Sequence, residues 1–407
     1  MKTSFPKDKI NVLLLENTHP VSVERFRQEG FNVTHLQHSL AEEDLCAAIT
    51  DVHILGIRSK TLVTPMVLQK ASALWAIGVF CIGTNQIDLA ACDQHGVGVF
   101  NAPYSNTRSV VELVIGQMIA LIRQLPVRSQ QVHRGIWQKS AASAFEIRGK
   151  TLGIVGYGNI GTQLSVLAES LGMQVYYYDL QEKLALGNAK KCESLIELLG
   201  LADVISLHVD GREENQHLID AKALASMREG SILINLSRGH VVDLSALAVA
   251  LRDKHLLGAA IDVYPEEPKG QTDTFRCPLQ NCPNVILTPH IGGSTQEAQR
   301  NIGEFVPQQV IQYMNTGSSM MTVNLPELQL PMLKNSHRVI HLHHNAPGVL
   351  AKINDVFARQ QINVVGQYLK TTQTIGYVIT DIIKDYPRSI VTTLKAIEGT
   401  IRVRVLY

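Results

Sequence analysis

No stretch of this chain offers about 18 uninterrupted apolar residues, so nothing in it is expected to span a membrane. The opening Met1-Lys2-Thr3-Ser4-Phe5-Pro6 leads straight into charged residues, without the apolar run of a secretory signal. An excess of one charge sign is also missing: 37 basic side chains against 36 acidic ones leave a formal net charge of +1. No broad field is therefore expected to draw in nucleic acid or an anionic membrane, and an anionic substrate must be caught by a local pocket. Cysteine is sparse. Cys46, Cys81, Cys92, Cys192, Cys277 and Cys282 form no CxxC pair, and so long a chain does not need disulfides. Reduced thiols in a cytoplasmic protein are expected. Internal repeats and low-complexity tracts are absent as well.

What the chain does have is length and apolar content. At 407 residues and 45% hydrophobic it exceeds one ordinary core, so two or three domains are expected. Short runs rich in Val and Ile alternate with helix-like stretches, at 10–15, 152–155, 175–178, 204–209, 231–236, 259–263 and 285–288. Continuous apolar strands separated by helices indicate α/β architecture with parallel sheets covered on both faces. Residues 316–337, punctuated by Thr316-Gly317-Ser318-Ser319, Pro326, Pro331 and Asn335, read as a linker after a helix ending near Asn315. Beyond it a strand (338–344), a helix (347–360), two strands (362–370 and 375–383), a helix (387–397) and a strand (400–407) follow. The first of these helices has Leu350, Ile353 and Phe357 on one face and Pro347 near its first turn. That order, βαββαβ, predicts a ferredoxin-like α+β unit.

The strand at 152–155 runs into Gly156-Tyr157-Gly158-Asn159-Ile160-Gly161, and a helix follows. A lone GxGxxG is weak. Here it lies between a strand and a helix, with Asp179 closing the next strand about 20 residues on, which is the dinucleotide-binding arrangement. Gly156 allows the tight turn, Gly158 lets the backbone approach a pyrophosphate, and Gly161 lets the helix pack close. The helix N-terminus then faces the phosphates. Asp179 would accept from the ribose hydroxyls and repel a 2′-phosphate. Leu180-Gln181-Glu182 brings no arginine to offset it, so NAD is expected over NADP.

Three polar residues follow, each just beyond a strand: Arg238 in Asn235-Leu236-Ser237-Arg238-Gly239, Glu267 in Asp262-Val263-Tyr264-Pro265-Glu266-Glu267-Pro268, and His290 in Thr288-Pro289-His290-Ile291-Gly292-Gly293. Open α/β sheets bind ligands at these ends. Oxidising a secondary alcohol needs a base, and imidazole titrates near working pH. A neighbouring carboxylate fixes its tautomer, and a guanidinium can hold the carboxylate of a 2-hydroxy acid bidentately. By position alone Glu266 could take the place of Glu267.

At these residues the chain resembles the D-isomer-specific 2-hydroxyacid dehydrogenases over essentially its whole length. The likeness rests on Gly156 to Gln163, Asn235 to Gly239, Ala260-Ile261-Asp262-Val263 and Thr288 to Gln299. Cys81-Ile82-Gly83-Thr84-Asn85, Asn101 to Arg108 and Gly399 to Tyr407 extend it. It is most similar to members that oxidise 3-phosphoglycerate in the first step of L-serine biosynthesis. The resemblance places catalysis on Arg238, Glu267 and His290. It implies cofactor contacts at Asn159, Ile160, Asp179, Leu236, Ser237, Arg238, Asp262, His290, Ile291, Gly292 and Gly293. Implied substrate contacts are Arg58, Ser59, Asn106, Arg108 and Gln299, with Lys139, after Trp137, reaching a neighbouring subunit's site. The implied fold is a flavodoxin-like substrate domain (1–104 and 296–330) with an inserted Rossmann domain (105–295). The catalytic cleft between them closes by hinge motion.

The C-terminal unit (337–407) resembles an ACT module, through His341-Leu342-His343-His344-Asn345-Ala346-Pro347-Gly348-Val349-Leu350 and Gln361-Ile362-Asn363-Val364. The resemblance implies L-serine as effector, held by His343, Asn345 and Asn363 across a domain pair, hence at least a dimer, with a tetramer as the family norm. No metal is expected at the three histidines, which lie on one strand without a cysteine or acid cluster. Three departures stand out. Ala346 replaces a basic residue, Gln361 a helix-ending glycine, and Asp210, after His208-Val209, a proline. Rival readings are a reductase of hydroxypyruvate or 2-oxoglutarate, and an NAD-sensing regulatory protein on the same fold.

Overall fold

The computed structural model describes residues 5–268, 274–331, 335–387 and 389–406. The expected N-terminal residues 1–4, residues 332–334 of the expected linker, residue 388 of the last expected helix and the final residue 407 lie outside them. The chain divides into two compact units, Met1–Ser105 with Gln299–Tyr407, and Asn106–Ala298.

In the first unit, β1 (Asn11–Leu14), β2 (Asn32–His35), β3 (Ile54–Ile57), β4 (Ala76–Val79) and β5 (Gly98–Phe100) form a parallel sheet. Its order, β2-β1-β3-β4-β5, is the flavodoxin-like one. Ile54-Leu55-Gly56-Ile57 is buried throughout, because helices cover both faces of the inner strands. Asn32-Val33-Thr34-His35 alternates between exposed and half-buried, as an edge strand can.

The second unit carries β6 (Thr151–Val155), β7 (Gln174–Tyr178), β8 (Lys190–Lys191), β9 (Val204–Leu207), β10 (Ser231–Asn235), β11 (Leu256–Ile261) and β12 (Val285–Leu287). All pair in parallel in the order β12-β11-β10-β9-β6-β7-β8. The chain starts at β6, runs outward to β8, then returns to β9 on the other side of β6. That reversal is the topological switch point of a Rossmann sheet, and it lies beside the glycine-rich turn that follows β6.

The C-terminal part of the first unit has the expected βαββαβ order. β13 (Ser336–His344), β14 (Val364–Thr371), β15 (Ile375–Ile383) and β16 (Thr400–Leu406) form an antiparallel sheet in the order β14-β15-β13-β16. The helix after β13 begins at Val349, not at Pro347, because Gly348 is left-handed (φ 87°). Its buried stripe is accordingly Val349, Ile353 and Phe357, and Leu350 packs only at the margin.

Residues 316–331 differ from the expected linker. Ser319 Oγ donates to Pro326 O (2.6 Å) and accepts from Leu328 N (2.9 Å). Asn324 accepts from Val99 N (2.9 Å) and donates to Val97 O (2.9 Å), lacing the segment to β5. The polar residues that read as loop punctuation serve as anchors. The segment also lends carbonyls to a buried ion pair. Arg338 Nε and Nη2 donate to Asp381 at 2.7 and 2.8 Å, while its Nη1 reaches Thr316 O (2.9 Å) and its Nη2 Pro331 O (2.7 Å). The two residues are 5% and 1% exposed, so neither charge has water as an alternative partner. Asp381→Asn should therefore destabilise the first unit by about 3 kcal/mol, the usual scale for breaking a buried pair from one side. Urea unfolding checks this, and an unmoved midpoint would count against it.

Candidate functional site

Each glycine of the turn after β6 has a separate reason. Gly156 is left-handed (φ 91°), and a Cβ on it would lie 2.5 Å from His208 O. A Cβ on Gly161 would lie 2.4 Å from Gly156 O, so this glycine lets the helix pack against the turn. Gly158 has ordinary φ (−86°) and nothing within 4 Å of its absent Cβ. The protein's own packing gives no reason for a glycine there, whereas a ligand at the turn would. No side chain caps the helix Asn159–Ser170, so its first N–H groups remain available to an anion. Asp179, just past β7, is drawn to the same turn: its Oδ2 accepts from Tyr157 N and its Oδ1 from Gln181 N, both at 2.8 Å.

Arg238, Glu267 and His290 follow the ends of β10, β11 and β12. Asn235, fully buried, builds the first loop. Its Oδ1 accepts from Ser237 N (3.0 Å) and Ser237 Oγ (2.7 Å), and its Nδ2 donates to Arg238 O (3.0 Å). Arg238 Nη1 donates to Ser237 O at 2.7 Å. Gly239 is required because a Cβ would lie 1.9 Å from the backbone of Tyr264. Gly211 lies against the Arg238 side chain, where its missing Cβ would come within 3.4 Å of Nε. The neighbouring Asp210 is held by Arg212 Nε (2.7 Å) and Asn215 Nδ2 (2.9 Å). That pairing occupies the position where the resemblance implied a proline.

His290 Nδ1 lies 2.8 and 3.0 Å from the two Glu267 oxygens, and Glu267 Oε1 also accepts from Tyr264 N (3.2 Å). The geometry selects Glu267. Glu266 is exposed, with no hydrogen bond or ion pair among the described residues. The Glu267 hydrogen bond raises the His290 pKa above its ordinary value, against an opposing effect of partial burial and of the Arg238 charge. Burial alone would push Glu267 up, but His290, Tyr264 N–H and Arg238 together hold it below the usual carboxylate range. With Nδ1–H given to Glu267, Nε2 is the nitrogen left to take or give a proton.

Asp262 was expected as a cofactor contact, but its carboxylate is occupied internally. It is 1% exposed; Oδ1 accepts from Thr288 Oγ1 (2.5 Å) and Ile291 N (2.9 Å), and Oδ2 from Gly292 N (2.8 Å). It thus clamps the loop that carries His290, whose own backbone is left-handed (φ 53°). Asn235, Tyr264 and this clamp went unrecognised in the sequence, where only their places beside strand ends could have marked them.

The remaining expected residues fall in separate places. Asn106, Arg108 and Lys139 belong to the second unit, Arg58, Ser59 and Gln299 to the first. Asn106 packs against Gly293, and its buried Oδ1 has no hydrogen-bond partner among the described residues. Arg108 Nε pairs with Glu112 at 2.6 Å on an open surface. Lys139 is exposed, close in sequence to Trp137, which is 83% exposed. Asn345 and Asn363 are exposed, and Asn345 Nδ2 donates to Thr372 O (2.8 Å). His343 is 3% exposed, its ring pressed against Gly376. Gln361, where the resemblance implied a glycine, is left-handed (φ 54°). Among the described residues no group of three His, Cys, Asp or Glu is arranged to hold a metal.

Residues 115–292 match the family described as D-isomer specific 2-hydroxyacid dehydrogenase, NAD binding domain, and residues 339–402 match the AHAS small subunit-like ACT domain. The chain is 51% identical to the D-3-phosphoglycerate dehydrogenase of Escherichia coli, covering 100% of both chains. It is 49% identical to the enzyme so named in Dictyostelium discoideum, covering 100% of this chain and 99% of that one. The D-lactate dehydrogenase of Aquifex aeolicus, solved with NAD and lactic acid, superposes with TM-score 0.65 at 26% identity, over 74% of this chain and 95% of that one.

The glycine geometry separates ligand effects from folding effects. Gly158→Ala should leave thermal stability nearly unchanged yet weaken dinucleotide binding at least about tenfold, since a methyl group would occupy the open side of the turn. Gly161→Ala should instead lower the unfolding temperature. Calorimetric binding and thermal melts of the two variants give the comparison. Equal loss of stability in both would contradict the assignment.

Proposed function

Since the chain belongs to the D-isomer-specific 2-hydroxyacid dehydrogenases and is an NAD-dependent dehydrogenase, we propose that it oxidises 3-phosphoglycerate to 3-phosphohydroxypyruvate, the first step of L-serine biosynthesis. The observation that carries this reading is the His290–Glu267 pair in a chain whose full-length relatives bear that enzyme's name. The open cradle at Gly158 and the uncapped helix behind it fit NAD, which Gly156, Gly161, Asn159, Ile160 and Asp179 would hold. Leu236, Ser237, Ile291, Gly292 and Gly293 would line the same site. When bound, NAD supplies the hydride acceptor.

The side chains of this chain do the rest. Arg238 holds the substrate carboxylate by charge-assisted hydrogen bonds. His290 Nε2 takes the hydroxyl proton as the carbon loses hydride, and Glu267 stabilises the imidazolium that results. Asp262 fixes the loop. Arg58, Ser59, Asn106, Arg108 and Gln299 hold the phosphate end, with Lys139 serving a neighbouring subunit. Serine, bound at Asn345 and Asn363 across paired C-terminal domains, is the feedback inhibitor, which requires at least a dimer and suits a tetramer. His343, being buried, supports that site from behind and does not face the ligand. A cytoplasmic location fits the free thiols.

The pH dependence follows from the raised His290 pKa. Oxidation needs neutral imidazole, so its rate rises as pH climbs through that pKa; reduction needs imidazolium and falls over the same range. Glu267→Gln removes the main cause of the shift and moves both limbs to lower pH, so reduction suffers most at high pH. His290→Asn should cut turnover roughly 10²–10⁴-fold with NAD binding retained. Steady-state rates with NAD and 3-phosphoglycerate across pH read both variants. Normal turnover by the asparagine variant would remove His290 from the chemistry.

For regulation, Gln361 keeps a left-handed backbone at a cost on the order of 1 kcal/mol. Inhibition should survive but need more serine than in a glycine-bearing relative. Asn345→Ala combined with Asn363→Ala should abolish inhibition while turnover persists. Calorimetry that detects no serine binding to wild type at millimolar concentration would leave the C-terminal domain with some other ligand or none.

A further inference from the structure

Glu16 follows β1 and combines three properties that rarely meet in one residue. It is only 8% exposed, its backbone is left-handed (φ 62°), and it is neither glycine nor asparagine. Its carboxylate is aimed at a single loop. Oε1 accepts from Arg58 N (3.2 Å) and Thr61 N (2.8 Å), and Oε2 accepts from Lys60 N (3.0 Å). Gln86 Nε2 braces the same loop from another direction by donating to Arg58 O (2.5 Å). The Glu16 backbone is fixed in turn, its N–H donating to His38 O (3.1 Å).

A strained, buried acid persists only where its surroundings hold it there. Here the surroundings are the backbone donors of residues 58, 60 and 61. With these N–H groups drawn inward to an internal carboxylate, an anion approaching the loop from outside cannot use them and is left to Ser59 N–H and the loop's side chains. Arg58 is half-buried and Ser59 is exposed, so both are placed to meet it. We propose that Glu16 is a positioning residue for substrate: it holds the 58–61 loop in the shape that presents Arg58 and Ser59 to the phosphate of the 2-hydroxy acid. This rests on the reading of Arg58 and Ser59 as phosphate contacts.

The carboxylate is needed for its two acceptor oxygens. A glutamine could keep Oε1 on Arg58 N and Thr61 N, but its NH₂ would then face Lys60 N–H, donor against donor. The disturbance falls at the centre of the loop. Misplacing one charged contact loosens substrate binding without touching the proton or hydride steps.

The test is a double-mutant cycle on the full-length enzyme. Glu16→Gln should raise KM for 3-phosphoglycerate about tenfold, with kcat at saturation within about twofold and KM for NAD unchanged. Arg58→Ala should raise KM at least as much, and Glu16→Gln added to it should do little more, because the first residue acts through the second. A role in stability alone would instead lower the unfolding temperature and the active fraction while leaving KM where it was. That outcome, or fully additive KM effects, overturns the proposal. Should Glu16→Gln fail to fold, Glu16→Asp, which keeps both oxygens but draws them back by one methylene, carries the same expectation. Wild-type inactivity toward 3-phosphoglycerate would sink the substrate assignment by itself. The cycle would then be read from KM of the 2-hydroxy acid the enzyme does oxidise.

Discussion

The carboxylate of Asp262 meets the loop after β12 in three places, and the geometry of His290 depends on that grip. Thr288 Oγ1, Ile291 N and Gly292 N all converge on it from around His290. A non-glycine residue in the left-handed region is strained on the order of 1–2 kcal/mol, so His290 at φ 53° needs a surrounding that over-determines its backbone. The buried acid is in turn tolerable only because three donors satisfy it. The ring of His290 then meets the carboxylate of Glu267, five residues after Asp262 in the same loop. One strand end thus supplies both the clamp on the histidine loop and the partner of the histidine ring.

The same device recurs at two other strand ends. Glu16 follows β1, Asp179 follows β7, and each accepts backbone N–H groups from an adjoining loop, as Asp262 does after β11. In a parallel sheet the loops at the C-terminal edge must be irregular to reach ligands, yet irregular loops leave backbone donors without partners. An acid at the end of a strand satisfies those donors from a rigid base. The device also conserves the side chains that ligands need. Arg58 and His290 are left to ligands because the acids beneath them already hold their loops, and the amide of Asn235 does the same for the loop of Arg238.

How much of this the sequence disclosed depended on how local the cause was. The strand, glycine turn, helix and following acid could be read directly, since each reason lies within one βαβ unit. The strands β2 to β5 could not be placed one by one, being only three or four residues long, with β2 partly polar as well. By position alone Glu266 and Glu267 were indistinguishable, and the resemblance pointed to Glu267; the physical reason is the approach of His290, 23 residues away. Asp262 was legible as a site residue but not in its role, because its partners stand 26 to 30 residues further on. The polar segment after residue 316 looked like a tether for a similar reason. Serine, asparagine and proline mark loops, but whether such a loop hangs free or is stitched to a sheet is decided by β5, more than 200 positions earlier.

That stitching bears on how the C-terminal module is attached. Near the start of β13 stands Arg338, whose guanidinium is fixed to Asp381 and to the carbonyls of Thr316 and Pro331. The same strand ends at His344, one residue before Asn345. Tyr377, on the neighbouring β15, donates to Gly317 O at 2.6 Å, a second buried tie between the antiparallel sheet and the segment after the long helix Gln296–Thr316. A free linker would let a ligand at Asn345 move the module alone, at no energetic consequence to the rest of the first unit. With these anchors, displacing β13 would break satisfied, buried hydrogen bonds to charged groups, each worth roughly 1.5–3 kcal/mol. A rigid attachment of this kind lets differential binding bias more than its own site, because packed and hydrogen-bonded elements with discrete arrangements carry coupling free energy.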